Sequence, residues 1–195
     1  MRRFQSLCSS AGVTLIEMLV GVAVLGVILA VATPSLSSFM ERRRVVAAAG
    51  EVANMFAFAR SEANVVDDTL NMHMEPVPDS VGKFSCIRIS VFSVTDTCGC
   101  NRALDQVCSF GGGHLLREYV LPRDTSVRFD ASGTWGFSGA VVAFKRDRHF
   151  TDVKNVRVTV TGIRTGAKLR VEYNNVGRVR ICSPDGNFSG YPTCG

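Results

Sequence analysis

The chemistry in this chain begins with Gly12, Val13 and Glu17, which set a small residue acceptable at a peptidase cut beside a carboxylate inside an apolar run. From Val13 to Ala32 only Thr14 and Glu17 are polar. At about 1.5 Å per residue this stretch reaches roughly 30 Å, one hydrocarbon core. A carboxylate within it costs about 2.5–3.5 kcal/mol even on a lenient insertion scale, so Glu17 requires a partner that the neighbouring sequence does not supply. A second group is Arg178 and Arg180, two apart after Gly177, with Lys168 and Arg170 shortly before. Guanidinium groups stay charged and donate paired hydrogen bonds, a chemistry suited to phosphate. A third is cysteine: Cys86, Cys98, Cys100, Cys108, Cys182 and Cys194, besides Cys8 near the start.

No catalytic constellation accompanies these groups. His73, His114 and His149 lie in unrelated contexts and read as surface or loop residues. No GxGxxG, GxSxG, HExxH or phosphate-loop pattern is present, so the sequence reads as a non-enzyme without cofactor or catalytic residues. Asp67-Asp68 reads as a helix end or a solvated loop, with a cation site as the lesser alternative.

The leader runs backwards for a secretory signal. Met1 to Gly12 carries Arg2 and Arg3 without an apolar segment, and the apolar run starts only after Gly12, whereas a secretory signal loses its apolar region with the cut. A twin-arginine address lacks its fuller pattern, because Phe4-Gln5 follows the pair. An uncleaved single-pass anchor is the competing reading. Against it stands the joint pattern of Gly12, Thr14-Leu15-Ile16-Glu17, Gly26 and Pro34.

That pattern resembles the class III signal and N-terminal helix of type IV pilins and type II secretion pseudopilins. The resemblance implies that a prepilin peptidase cuts after Gly12 and methylates the new amino terminus at Val13, where phenylalanine is usual. It implies that Glu17, fifth in the mature chain, neutralises the terminal ammonium of a neighbouring subunit. Pro34 falls on the helix-kinking proline, where loss of one intrahelical hydrogen bond bends the rod.

Beyond Pro34 the helix continues. Val45, Ala49, Val52, Phe56, Ala59 and Ala63 recur at helical spacing, while Arg42, Arg43, Arg44, Glu51 and Glu62 lie largely elsewhere. Glu41 to Arg44 reads as a solvated helix face rather than a headgroup site. Phe58-Ala59-Arg60-Ser61-Glu62-Ala63 resembles the ARSEA signature of the GspH and FimT subfamily of minor pilins and pseudopilins. From about Val81 the period becomes two: Ile87, Ile89 and Val91, then Val156, Val158 and Val160, then Leu169, Val171 and Tyr173 alternate with polar residues. Leu115–Leu121, Ser126–Asp130 and Ala140–Phe144 are further strand candidates, Asp96–Gly113 a stapled insertion, and Val65–Gly82, with Pro76 and Pro78, a connecting loop.

The expected fold class is α+β and type IV pilin-like, with a long N-terminal helix packed on an antiparallel β domain. The expected organisation is a cleaved leader at 1–12, a transmembrane half-helix at 13–33, an amphipathic half at 34–66 and an extracytoplasmic domain at 67–195. Loss of Cys8 with the leader leaves an even six cysteines, the arithmetic of three disulfides in an oxidising compartment. Cys182 with Cys194 is the preferred pair, because it ties down a loop containing Pro184-Asp185-Gly186 and Gly190-Tyr191-Pro192. Zinc is the alternative for Cys98-Gly99-Cys100 and Cys108, but that spacing is not a clean pair of pairs.

Charge concentrates late in the chain. The whole sequence carries a net +5, and the leader accounts for Arg2 and Arg3. Between Lys145 and Arg180 ten basic residues, among them Lys145, Arg146, Arg148, Lys154, Arg157 and Arg164, face only Asp147, Asp152 and Glu172, a local +7. Such a field suits a polyanion. A three-residue loop at Asn175-Val176-Gly177 puts Gly177 in the left-handed position and sets Asn174 opposite Arg178, Tyr173 opposite Val179, Glu172 opposite Arg180 and Val171 opposite Ile181. Slipping by one residue would send both arginines among Leu169, Val171 and Tyr173. Gly177-Arg178-Val179-Arg180 resembles the DNA-binding G-R-x-R motif of FimT-type minor pilins in naturally transformable bacteria. Glu172 opposite Arg180 offers an exposed ion pair of small net value.

The function expected is therefore a minor pilin that binds extracellular DNA without sequence preference, for natural transformation or pilus biogenesis. The alternative is a GspH-type minor pseudopilin of type II secretion, structural and without a DNA ligand. Either would be anchored in a bacterial inner membrane by one span with a periplasmic domain, then carried into a pilus or pseudopilus, with exposure at the cell surface as one outcome. Its partners would be prepilin peptidase and other pilins or pseudopilins.

Overall fold

The computed structural model describes residues 12–65, 71–77, 84–92, 97–100, 102–103, 106, 108–109, 113–133, 142–144, 155–174 and 176–195. The chain divides into two compact units, one ending at Phe39 and the other spanning Met40–Gly195. Helix α1, Leu15–Glu62, is assigned without interruption past Pro34. Its start is capped by Thr14, whose hydroxyl accepts the Glu17 N–H at 3.3 Å. Its end is closed by a turn at 63–65 and by Asn64, whose amide donates to the Arg60 carbonyl at 3.2 Å. The amphipathic half, expected to reach 66, thus stops at Glu62.

Within the second unit the strands are β1 Asn71–Val77, β2 Phe84–Phe92, β3 Thr97–Cys98, β4 Cys108–Ser109, β5 His114–Pro122, β6 Val127–Gly133, β7 Val142–Phe144, β8 Asn155–Gly162, β9 Lys168–Asn174 and β10 Val179–Cys182. They form two antiparallel four-stranded sheets, ordered β5-β2-β1-β7 and β10-β9-β8-β6, and a two-stranded ladder of β3 with β4. All six residues of the helical apolar stripe are buried, joined by Ala48 and Met55. They share one core with Ile87, Ile89, Phe129, Val158, Leu169, Val171 and Tyr173. The alternation on β9, with Leu169, Val171 and Tyr173 buried and Lys168, Arg170 and Glu172 not, follows from one face meeting this core.

One expectation fails. The segment 65–82 holds a strand, β1, lying between β2 and β7. Pro76 reads as a breaker because it cannot donate to a ladder. Even so, Pro76 stands opposite Ile87 in the ladder with β2, while among the described residues β7 pairs with Met72 to Met74. His73, expected on a surface or loop, is accordingly a strand residue opposite Ser90 and Ala143.

Helix residues 41–60 also fix two turns of the β domain. Glu41 is 3% exposed. Its carboxylate accepts the Thr165 hydroxyl at 2.7 Å, the Thr165 N–H at 2.8 Å and the Arg164 N–H at 3.1 Å, which pins the turn between β8 and β9. Burial pushes this carboxyl up, but the Thr165 hydroxyl, the two backbone N–H groups and the Arg164 charge outweigh it and hold it below the usual carboxylate range. Glu41 thus departs from the solvated face its sequence implied, while Arg42, Arg43 and Arg44 are exposed as expected. Arg44 donates to the Thr125 carbonyl at 3.2 Å, and Arg42 lies over the Phe188 ring.

Candidate functional site

The hairpin between β9 and β10 is set by hydrogen bonds to the backbone and side chain of Asn174 at its neck. The Gly177 N–H donates to the Asn174 carbonyl at 2.9 Å, and the Arg178 N–H donates to Asn174 Oδ1 at 2.8 Å. Gly177 has φ of 77°, the left-handed value that glycine adopts without strain. The register is the one that keeps the arginines off the core: Tyr173 opposite Val179, Glu172 opposite Arg180, Val171 opposite Ile181. Arg178 and Arg180 are exposed on the outer face that also carries Lys168 and half-buried Arg170.

Two more arginines belong to that face. β8 pairs with β9 so that Arg157 stands opposite Glu172, and β6 pairs with β8 so that Arg128 stands opposite Thr161. Arg157, Glu172, Arg178 and Arg180 line a common pocket of about 250 Å³ together with Val156 and Asn174. Glu172 faces Arg180 in the ladder, yet its ion pairs run to Arg170 at 3.7 Å and Arg157 at 3.8 Å. Arg180 instead donates to the Thr193 carbonyl at 3.2 Å. The Arg178 guanidinium has no hydrogen-bond or ion-pair partner among the described residues.

The chain end braces this face. Cys182 and Cys194 form a disulfide with Cα atoms 5.0 Å apart, the Ser183 N–H donates to the Pro192 carbonyl at 2.8 Å, and the Cys194 N–H donates to the Ser183 carbonyl at 3.1 Å. Cys86 is bonded to Cys100, and Cys108, also in a disulfide, stands opposite Cys98 on β3 and β4. A disulfide sulfur is not the thiolate that zinc needs. From the helix, Arg60 donates to the Gly177 carbonyl at 2.8 Å. Beneath the turn, Tyr173 stacks on Phe56 with ring centroids 4.9 Å apart; burial pushes its phenol up, partly offset by the Arg60 charge.

Sequence reading singled out Gly177, Arg178, Arg180, Lys168 and Arg170, and they share this one region of the sheet. It missed the place of Arg157, whose signal was its alternation between Val156 and Val158, usable only with the β8–β9 register in hand. It also missed Arg60, although Arg60 sits inside the quoted ARSEA-like stretch. Lys145, Arg146, Arg148, Lys154, Asp67, Asp68 and His149 lie outside the described residues.

In the first unit, Val13, Leu15, Ile16, Met18 and Leu19 through Val31 leave their apolar side chains exposed. α1 is long and apolar enough to cross a membrane. A contiguous apolar surface of this size calls for lipid or other helices. Residues 8–33 match the prokaryotic N-terminal methylation motif. The match covers Gly12, Val13 and Glu17 and supports a membrane-anchored, type IV pilin-like protein that is processed by prepilin peptidase and assembles with other pilins. It points to a structural protein rather than an enzyme. No curated protein and no solved structure matches the chain.

Proposed function

We propose that this chain is a minor type IV pilin of the FimT kind that binds DNA through the outer face of its β10-β9-β8-β6 sheet. Prepilin peptidase cuts between Gly12 and Val13 and methylates Val13. Glu17 meets the ammonium of a neighbouring subunit, and the 13–33 segment holds the protein in the inner membrane until it enters a filament. The observation that carries the DNA reading is the exposure of Arg178 and Arg180 on one strand face, with Glu172 engaged by Arg157 and Arg170 rather than by Arg180. Lys168 and Arg170 add charge on the same face. Contacts of this kind go to phosphates and read no bases, so binding is insensitive to sequence.

The test is titration of the full chain in detergent micelles with duplex DNA at several salt concentrations. Replacing Arg178 and Arg180 by glutamine should lower the log-log salt slope by about 1.8, from roughly 0.9 per phosphate contact. Absence of binding at low salt, or an unchanged slope in the double variant, rejects the DNA role. The structural reading, a GspH-type pseudopilin, then takes its place.

A further inference from the structure

The pocket beside the hairpin holds three guanidinium groups, and two of them come from its second arm, Arg180 on the edge strand and Arg178 just before it. The third, on Arg157, comes from two strands further in. In the ladder Arg157 and Arg180 flank Glu172 from opposite sides, and at about 4.8 Å between neighbouring strands their backbones are about 10 Å apart. Their side chains nonetheless line the same concavity as Arg178. Glu172 occupies the centre of this group under unusual terms. Its Oε1 is buried and accepts no hydrogen bond, and the sulfurs of the Cys182–Cys194 disulfide lie within 4.8 Å of one of its carboxylate oxygens. The nearest cations, Arg170 at 3.7 Å and Arg157 at 3.8 Å, stand beyond the roughly 2.7–3.2 Å range of N–H donation. The carboxylate therefore attracts these guanidinium groups without consuming their donors.

We propose that Arg157 is a third phosphate ligand of this pocket, and that Glu172 is the resident counter-anion whose place beside Arg157 a phosphate group takes when the ligand binds. The inference rests on the DNA-binding reading and deepens it: the footprint crosses from β10 over β9 to β8 instead of ending at the hairpin. Arg157, Arg170, Arg178 and Arg180 against one carboxylate leave three positive charges to attract the ligand. Arg180 keeps N–H groups to spare after donating to Thr193, since a guanidinium carries several. Phosphate oxygens accept the paired donation that Glu172 leaves unused. Because the resident carboxylate competes with the incoming anion, its charge holds affinity down.

The experiment compares the full chain in detergent micelles with the variants Arg157→Gln, Glu172→Gln and the Arg178→Gln, Arg180→Gln pair, each titrated with one duplex DNA across a salt series. Thermal melts accompany every variant. Arg157→Gln should lower the log-log slope by about 0.9, and Glu172→Gln should tighten binding several-fold at low salt. If the double variant loses slope while Arg157→Gln keeps the wild-type value, the third ligand is refuted and the hairpin reading stands. Folded Glu172→Gln that binds more weakly refutes the counter-anion role, and this arm decides the matter should Arg157→Gln not fold. If DNA binds none of the proteins, the underlying reading and the inference fall together.

Discussion

Arg60 on the helix donates to the carbonyl oxygen of Gly177 at 2.8 Å, across 117 positions of sequence. This bond joins the ARSEA-like stretch to the turn that aims Arg178 and Arg180. A β-carbon at Gly177 would stand 3.0 Å from Arg60 Nη1 and 3.3 Å from the Tyr173 hydroxyl, on a backbone already at positive φ.

Gly177→Ala should therefore cost about 1–2 kcal/mol through the left-handed conformation alone. It should also weaken DNA binding by disturbing the Arg60 contact. Arg60→Gln should weaken DNA binding with the salt slope nearly unchanged, because Arg60 holds the turn and does not itself contact phosphate. Denaturant melts beside salt-series titrations separate the two effects. A fall of the slope by a full contact in Arg60→Gln would make it a phosphate ligand instead.

The hairpin was legible because its two faces differ so sharply. A one-residue slip would set Arg178 and Arg180 among Val171 and Tyr173, and the register formed avoids it. The apolar stripe from Val45 to Ala63 was equally plain, since periodicity is a local property. β1 was hidden by Pro76, although Met72 and Met74 alternate with His73 and Glu75. What makes it a strand is its ladder with β2 from Asn71 to Val77, a fact of tertiary pairing. The bonds of Arg60 to Gly177 and of Glu41 to Thr165 link residues more than a hundred positions apart. No spacing rule in one sequence could supply those pairs.

Glu41 gives a pH dependence with a definite sign. Its carboxyl titrates below the ordinary value of 4.5 in the folded protein, so the unfolded chain binds protons first as pH falls. The stability it contributes is complete above about 4.5 and is lost as pH drops through the folded value. Glu41→Gln should cost about 1.5–3 kcal/mol at neutral pH, typical of hydrogen bonds to a charged group. That deficit should shrink in acid. Urea melts of both proteins across pH check this, and a constant deficit would contradict it. A soluble fragment beginning at Arg42 should likewise be less stable than one beginning at Met40, because it lacks the residue that pins the β8–β9 turn.

The Cys182 to Cys194 disulfide closes a short loop, with a sequence separation of 12. Such a closure contributes about 3 kcal/mol. Its removal by Cys182→Ser with Cys194→Ser should lower stability by that order and also weaken DNA binding, since Thr193, the acceptor for Arg180, adjoins Cys194. Titration of the double serine variant under conditions where it stays folded is the decisive measurement. Wild-type affinity there would show that Arg180 needs no fixed tail.

The final prediction concerns the amino terminus. Gly12 precedes the capped start of α1, and Thr14 accepts the Glu17 N–H within the first turn, so the helix begins directly after the expected cut. Intact-mass analysis of the protein from cells with an active prepilin peptidase should show loss of Met1 to Gly12 and one added methyl on Val13. A bulky residue in place of Gly12 should block both. Glu17→Ala should leave cleavage intact, because the carboxylate is not part of the bond that breaks. Incorporation into filaments should nevertheless collapse, since an ammonium buried in an apolar bundle loses its counter-charge, and breaking such a pair costs about 3–5 kcal/mol. Sheared filaments that retain Glu17→Ala at the wild-type level would show that this carboxylate has no such partner.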